Sequence, residues 1–128
     1  AIISGKRCSE NPKISMPNDR KDQVFVSHIL EAIGKIEKYL EGADLESFMK
    51  NEMMFDAVIR ELAIIGEAAN RLSDDFRDGH PEIPFAKIVG MRNFLIHEYF
   101  GVDVKTVWDT CQERLPELKR QLSEIGTK

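Results

Sequence analysis

Residues 55–72 read FDAVIRELAIIGEAANRL, and this stretch decides the fold class. Its apolar residues recur every three or four positions, at Phe55, Val58, Ile59, Leu62, Ile65, Ala69 and Leu72. That spacing predicts an amphipathic helix with one core-facing stripe. Gly66 interrupts the helix at a cost of about 1 kcal/mol relative to alanine, so we expect close packing or a local function at this position.

A helix of the same kind precedes this stretch. From Asp19 onward, apolar residues follow the helical period at Phe25, Ile29, Ala32 or Ile33, Ile36 and Leu40. Gly42 is placed to end that helix. Asp44 can then cap a short helical turn with the sequence DLESFMKN. The first half of the chain therefore predicts two long helices joined through a short one.

The second half predicts two more long helices after a connector at residues 74–84, which holds a glycine and two prolines. The first spans residues 85–100, with Pro84 at its start and Gly101 at its end. It carries Phe85, Ile88, Val89, Met91, Leu95 and Ile96. Asp103 caps the last helix, whose apolar face holds Val104, Val107, Cys111, Leu115, Leu118 and Leu122. Pro116 lies inside that pattern and should kink the helix or split it in two.

No stretch alternates with period two for long enough to predict a strand. We therefore predict an all-α bundle of four long helices plus a short one, forming one domain at residues 16–128. Residues 1–15 have no helical period, and we expect them to be disordered or added during cloning, with Met16 as the natural start.

Composition limits the classes of function. No apolar run approaches the ~20 residues that span a membrane, and Cys8 and Cys111 lack zinc or disulfide spacing, which favours a reducing cytoplasm. The net charge of −4 argues against a protein that coats nucleic acid by counterion release alone. It leaves open an enzyme that meets RNA through a small basic site.

Residues 91–100, MRNFLIHEYF, place polar groups among apolar ones. On a continuous helix Arg92 and Tyr99 nearly superpose, Asn93 and His97 are neighbours, and Arg92 and His97 lie about 140° apart. A second copy of the helix would join these two polar faces more easily than one arginine side chain could. The pattern therefore favours a site at a homodimer seam.

These residue types suit cleavage of an RNA phosphodiester. His97 can move protons near neutral pH. Arg92 offers a permanent planar charge to phosphoryl oxygens, and Tyr99 can orient phosphate or stack on a base. Asn93 can hold the imidazole or contact phosphate. Because the ribose 2′-hydroxyl is an internal nucleophile, neither a metal nor another cofactor is required. The alternative is that His97 and Tyr99 are a buried pair or the wet rim of an ordinary helix.

Other common sites have no matching motif. HEYF is not HExxH, and no second histidine stands at ligand spacing near paired carboxylates, so we predict no metal site. His28 and His80 look like an ordinary helix residue and a loop residue. Phosphate-binding and nucleophile motifs of the forms GxxxxGK[ST], GxGxxG and GxSxG do not occur.

Arg60, Glu67 and Arg71 form a polar stripe opposite the apolar face of the helix at residues 52–73. In one interpretation they are a solvated, salt-bridged surface. In the other, Arg60 and Glu67 line a cleft opposite Arg92, and Gly66 lets helices or substrate approach.

The segment RNFLIHEY fits R-x4-H-x-Y and resembles the signature of HEPN-domain ribonucleases. The surrounding sequence is most similar to one branch, the HepT-like toxins of the HEPN–MNT toxin–antitoxin systems. The similar segments are DAVIRELAIIGEAANRLS, HPEIPFAKIVGMRNFLIHEYFGVD and VWDTCQERLPELKRQL. The short motif alone is weak, but IIGEA before it and YFGVD after it make the match specific.

The resemblance implies a helical homodimer with the motif near the dimer cleft and metal-independent cleavage of RNA. Arg92 and His97 would be the catalytic pair, with Asn93 as a polar helper. It also implies a cognate antitoxin with a minimal nucleotidyltransferase fold that transfers AMP to Tyr99. A second hypothesis is a non-catalytic helical partner that only docks such a nucleotidyltransferase. The presence of both Arg92 and His97 favours the ribonuclease, because a docking partner would need only the tyrosine.

Overall fold

The computed structural model describes residues 18–98 and 101–126, and most of these residues are helical. The elements in chain order are α1 Asn18–Tyr39, α2 Leu45–Lys50, α3 Glu52–Asn70, α4 Asp74–Asp78, α5 Phe85–His97, α6 Val104–Asp109, a π-helical segment Thr110–Arg114, and α7 Leu115–Gly126. The described part of the chain contains no strand, so the predicted all-α class is confirmed.

Helix α3 forms the centre of the bundle and packs between α1 and α5, while α7 packs against α1. The predicted apolar stripes meet there, and the fully buried side chains include Ile29, Ile33, Ile36, Val58, Leu62, Ile65 and Leu122. Ile96, one of the apolar residues of α5, is 49% exposed. Helix α5 buries the side that holds Phe85 and Leu95, and Ile96 lies to one side of that contact.

Side-chain caps fix the helix ends where the sequence predicted them. Asp44 accepts a hydrogen bond from the Ser47 backbone N–H at 2.8 Å, and the Ser47 hydroxyl bonds back to the Asp44 backbone N–H. Asp103 caps α6 by accepting from the Thr106 N–H. Gly42 follows α1 with φ of +77°, a left-handed conformation that favours glycine. No helix among the described residues is long and apolar enough to cross a membrane.

The connector at residues 74–84 contains a short helix, α4, that the sequence did not predict. Ser73 caps it, with its hydroxyl accepting from the Phe76 N–H. Asp22 of α1 holds Ser73 in place by accepting both the Ser73 N–H at 2.8 Å and the Ser73 hydroxyl at 2.7 Å. Asp22 is 4% exposed. The helix therefore depends on a contact between residues far apart in the sequence.

Helix α5 ends at His97, so the prediction of a helix through residue 100 is wrong at its C-terminal end. Glu98 has φ of −125° and ψ of 38°, which is not helical. Its carbonyl accepts a hydrogen bond from Gly101 N–H at 2.8 Å. The chain then enters α6 at Val104, and Val107 of α6 lines a depression together with Leu62 of α3.

The final helix is split next to Pro116, as the sequence predicted. Between α6 and α7 the Leu115 N–H reaches back to the Thr110 carbonyl, five residues earlier, and the turn is wide. Proline has no N–H, and its ring would crowd the carbonyl four residues before it in a regular α-helix. The π-helical segment relieves that crowding directly before the proline.

Candidate functional site

Helices α3 and α5 pack tightly against each other at Gly66. A Cβ atom at that position would overlap the Cβ of Arg92, lie 2.8 Å from its Cγ, and lie 3.2 Å from the Ile88 carbonyl oxygen. Only glycine therefore lets α5 pack this closely. The expectation of close packing at Gly66 is confirmed, and the contact brings the Arg92 side chain across the surface of α3.

Glu67 and Asn93 contact the Arg92 guanidinium directly, and Arg71 in turn binds Glu67. Arg92 Nη2 lies 3.0 Å from Glu67 Oε1, and its Nη1 donates to Asn93 Oδ1 at 3.0 Å. The other carboxylate oxygen of Glu67 accepts from Arg71 Nε at 2.8 Å. The Arg71 hydrogen bond, together with the positive charges of Arg92 and Arg71, holds the pKa of Glu67 below its usual range. Glu67 is therefore an anion shared by two arginines at neutral pH.

Glu67, Arg71 and Arg92 line a depression of about 610 Å³ that we call the arginine groove. Its charged lining residues are Arg60, Glu67, Arg71 and Arg92, with His28 of α1 on one side and Ile96 of α5 on the other. The structure thus places Arg60 and Glu67 in one depression with Arg92. Three arginines against one glutamate leave the groove positive, although the whole chain carries a net charge of −4.

His97 is exposed in the last turn of α5 and does not line the arginine groove. It follows Arg92 by five residues, and on a helix that spacing turns the two side chains about 140° apart. No hydrogen bond or ion pair joins the imidazole to another described residue. One copy of the chain therefore presents Arg92 and His97 on different sides of α5.

The family model that matches the chain is described as ribonuclease HepT-like, and it covers residues 29–125. The chain belongs to the HepT-like ribonuclease family. It is 41% identical over 110 residues to a probable ribonuclease HepT of Thermococcus cleftensis, covering 86% of this chain and 98% of that relative. It is 40% identical over 104 residues to a protein of Caldanaerobacter subterraneus subsp. tengcongensis named "Putative RNase", covering 81% and 93%. No solved structure gives a significant match.

In this HepT-like chain, the predicted site residues fall into three groups. Arg92, Asn93, Glu67 and Arg60 share the groove or contact a residue in it. His97 lies on a different side of α5. Tyr99 lies outside the described residues. Asn93 contacts the arginine rather than the imidazole.

Two further residues, Arg71 and His28, line the arginine groove of this HepT-like chain. Arg71 binds Glu67 at the i,i+4 spacing, which is a signal that the sequence alone contains. His28 looks like an ordinary helix residue from the sequence, yet it lines the groove. Nothing local could have identified His28, because its position depends on how α1 packs against α3.

Proposed function

We propose that this protein is a metal-independent endoribonuclease and the toxin of a HEPN–MNT toxin–antitoxin system. The main support for this proposal is the position of Arg92, the arginine of the R-x4-H-x-Y motif. Arg92 is fixed in a positive groove by Glu67 and Asn93, and it precedes His97 by five residues. An arginine held in this way presents a planar charge to phosphoryl oxygens without first having to be ordered.

The proposed reaction uses the RNA as its own nucleophile. His97 accepts the proton of a ribose 2′-hydroxyl as the 2′-oxygen attacks the adjacent phosphorus. The bond from phosphorus to the 5′-oxygen breaks, and the leaving oxygen takes a proton from an imidazolium. The products are a 2′,3′-cyclic phosphate and a 5′-hydroxyl. Arg92 stabilises the added negative charge on the phosphoryl oxygens in the transition state.

We infer that two copies of the chain assemble this site. Helix α5 presents Phe94 and Ile96 half-exposed, 48% and 49%, between Asn93 and His97 in the sequence. Apolar side chains that lie among the motif residues are suited to a homodimer seam, which would bury on the order of 2,000 Å² or more. Pairing α5 with its copy would place His97 of one protomer close to Arg92 of the other.

Regulation of the site is proposed to act through Tyr99. In HEPN–MNT systems, to which the sequence is similar, a nucleotidyltransferase antitoxin adds AMP to the motif tyrosine. An AMP group two residues after His97 would bring bulk and a negative phosphodiester. That charge can pair with Arg92 in place of RNA phosphate, so modification would block substrate without a change of fold.

The catalytic assignment is tested by incubating total RNA with the purified protein in EDTA. We expect the wild type to cleave, and Arg92→Ala and His97→Ala each to lose about 10²- to 10⁴-fold in rate. His80→Ala is the matched control, because that imidazole binds the Phe76 carbonyl away from the groove. Wild-type rates in either motif variant, or loss of cleavage in EDTA, would contradict the mechanism and favour a docking partner without catalytic activity.

The regulatory assignment is tested by co-expression with a neighbouring nucleotidyltransferase and measurement of intact mass. We expect a gain of AMP units and loss of RNA cleavage in the wild type. Tyr99→Phe should remove the mass gain, whereas Tyr39→Phe, at the end of α1, should keep it. An unmodified but fully inhibited protein would instead indicate inhibition by docking alone.

A further inference from the structure

We propose that Arg60 and Arg71 bind the backbone phosphates of single-stranded RNA on the two sides of the linkage that is cleaved. This inference rests on the proposed ribonuclease function and adds a substrate-binding track to it. The track is the arginine groove, followed along α3 from Arg60 to Arg71.

The geometry places Arg92 between the two outer arginines. Arg60, Glu67 and Arg71 lie on one stripe of α3, and eleven residues of helix span about 16 Å. Arg92 reaches that stripe at Glu67. Successive phosphates of a nucleic acid strand are much closer together than the length of this stripe. Several phosphates of one strand can therefore lie along the stripe and contact all three arginines.

The direction of α5 places Arg60 near the His97 end. Gly66 of α3 meets Arg92, whereas Leu62 shares a depression with Leu95, so the two helices run antiparallel. Ile96 lines the groove directly before His97 in the sequence. RNA in the groove would therefore pass Arg60 on the side of Arg92 that lies toward the C-terminal end of α5, and Arg71 on the opposite side.

Both outer arginines have donors to offer a phosphate. Among the described residues, no carboxylate forms an ion pair with Arg60. Arg71 uses Nε to bind Glu67, and its side chain remains 60% exposed. A guanidinium carries five N–H donors in a fork that matches phosphate, so Arg71 can bind Glu67 and phosphate together.

The α1 side of the groove favours a single strand. Phe25 and His28 both line the groove, and their rings meet edge to face with centroids 5.9 Å apart. Bases of a single strand can stack on such rings, while those of a duplex are already stacked on one another. A positive channel beside aromatic side chains is the usual arrangement for binding single-stranded nucleic acid.

The test measures binding apart from cleavage. The probe is a fluorescent single-stranded 2′-O-methyl oligonucleotide of mixed sequence, which lacks the attacking hydroxyl. Binding is measured by anisotropy over a range of salt concentrations. The logarithm of the association constant falls linearly with the logarithm of the salt concentration. Each lost phosphate contact should make this negative slope shallower by about 0.7. We expect that change in Arg60→Gln and in Arg71→Gln, and about twice that change in the double variant.

Arg120→Gln is the matched control. Like Arg71, Arg120 is exposed and paired with a glutamate on its own helix, but it lies on α7, away from the groove. Its substitution should leave the salt slope unchanged. Groove variants that behave like Arg120→Gln, or a wild type that does not bind the probe at low salt, would overturn the track.

Failure of the track can be distinguished from failure of the proposed function. If cleavage requires His97 but the arginine variants keep the wild-type salt slope, the track is wrong and the ribonuclease assignment stands. If the arginine variants lose slope while His97→Ala still cleaves RNA, the track stands and the catalytic assignment is wrong.

Discussion

Gly66 is the residue on which the position of Arg92 depends, because any larger side chain would occupy the space of the arginine Cβ. We predict that Gly66→Ala lowers the free energy of unfolding by about 1 to 3 kcal/mol, as overpacking of a close contact does. It should also reduce RNA cleavage by displacing Arg92. Urea denaturation and a cleavage assay measure the two effects.

Gly34→Ala is the control for that substitution. Gly34 lies exposed on α1, and no described atom outside its own helix lies within 4 Å of the position that an added Cβ would take. Alanine there should therefore be neutral or stabilising by up to about 1 kcal/mol. If Gly66→Ala proved as stable as Gly34→Ala, the close approach of α5 to α3 would not be a constraint on the fold.

Glu67 is positioned to orient Arg92 rather than to touch the reacting atoms. We predict that Glu67→Gln lowers the cleavage rate by as much as about 10²-fold, because a small displacement of the arginine weakens its contact with the transition state. Glu117→Gln is the control, since Glu117 pairs with Arg120 on α7. Single-turnover cleavage kinetics measure the effect. Equal cleavage rates in the two variants would show that Glu67 does not position Arg92 for cleavage.

At the scale of elements, the contact between Asp22 and Ser73 joins α1 to the start of α4. Asp22 is buried and both of its carboxylate oxygens accept hydrogen bonds from Ser73. We predict that Asp22→Ala destabilises the protein by about 1 to 3 kcal/mol, because it leaves the part-buried N–H of Ser73 without its partner. Glu31→Ala, on the exposed side of α1, should change stability by less than about 0.5 kcal/mol.

A double-mutant cycle with Ser73→Ala shows whether the two residues act as one unit. The combined substitution should cost less than the two single costs added together, since both remove hydrogen bonds of the same pair. Additive costs in urea denaturation would mean that Asp22 stabilises α1 by other contacts.

At the scale of the whole molecule, we expect RNA cleavage to require the homodimer. We predict that Phe94→Asp yields a folded monomer without RNA cleavage, because a charge on the outer side of α5 opposes burial in a seam. Met53→Asp is the control, because Met53 is 81% exposed at the start of α3. Light scattering and cleavage are measured together, and a dimer that survives Phe94→Asp would place the seam elsewhere.

Acid stability is a second property of the whole molecule. Hydrogen bonds from Ser47, Arg71, Thr106 and Arg120 lower the pKa values of Asp44, Glu67, Asp103 and Glu117 respectively. A carboxyl whose pKa is lower in the folded state contributes stability above its unfolded pKa and loses it as pH falls through the folded value. We therefore predict that these four groups contribute a constant stability above about pH 5 and that this contribution declines below about pH 4.

The decline should be small for each group, because these carboxylates are at the surface and screened by solvent. Asp103→Asn tests one of them, since asparagine can still cap α6 without titrating. Urea midpoints of this variant should fall less steeply in acid than those of the wild type. If the urea midpoints of both proteins fell equally in acid, Asp103 would not contribute to the loss of stability at low pH.

The sequence by itself determined the parts of this protein that depend on neighbours within one or two turns of helix. Apolar spacing predicted the helices, Asp44 and Asp103 predicted two of the caps, and Pro116 predicted the split in the final helix. The R-x4-H-x-Y segment and the sequence around it indicated the family. These features are readable because residues three or four apart on a helix are in contact whatever the rest of the chain does.

Only the tertiary structure decided which groups face each other. Arg92 meets Glu67 because α5 packs across Gly66, and Asp22 meets Ser73 across 51 residues of chain. The physical reason is that such contacts follow from the angle and depth of helix packing, which many side chains set jointly and no local pattern encodes.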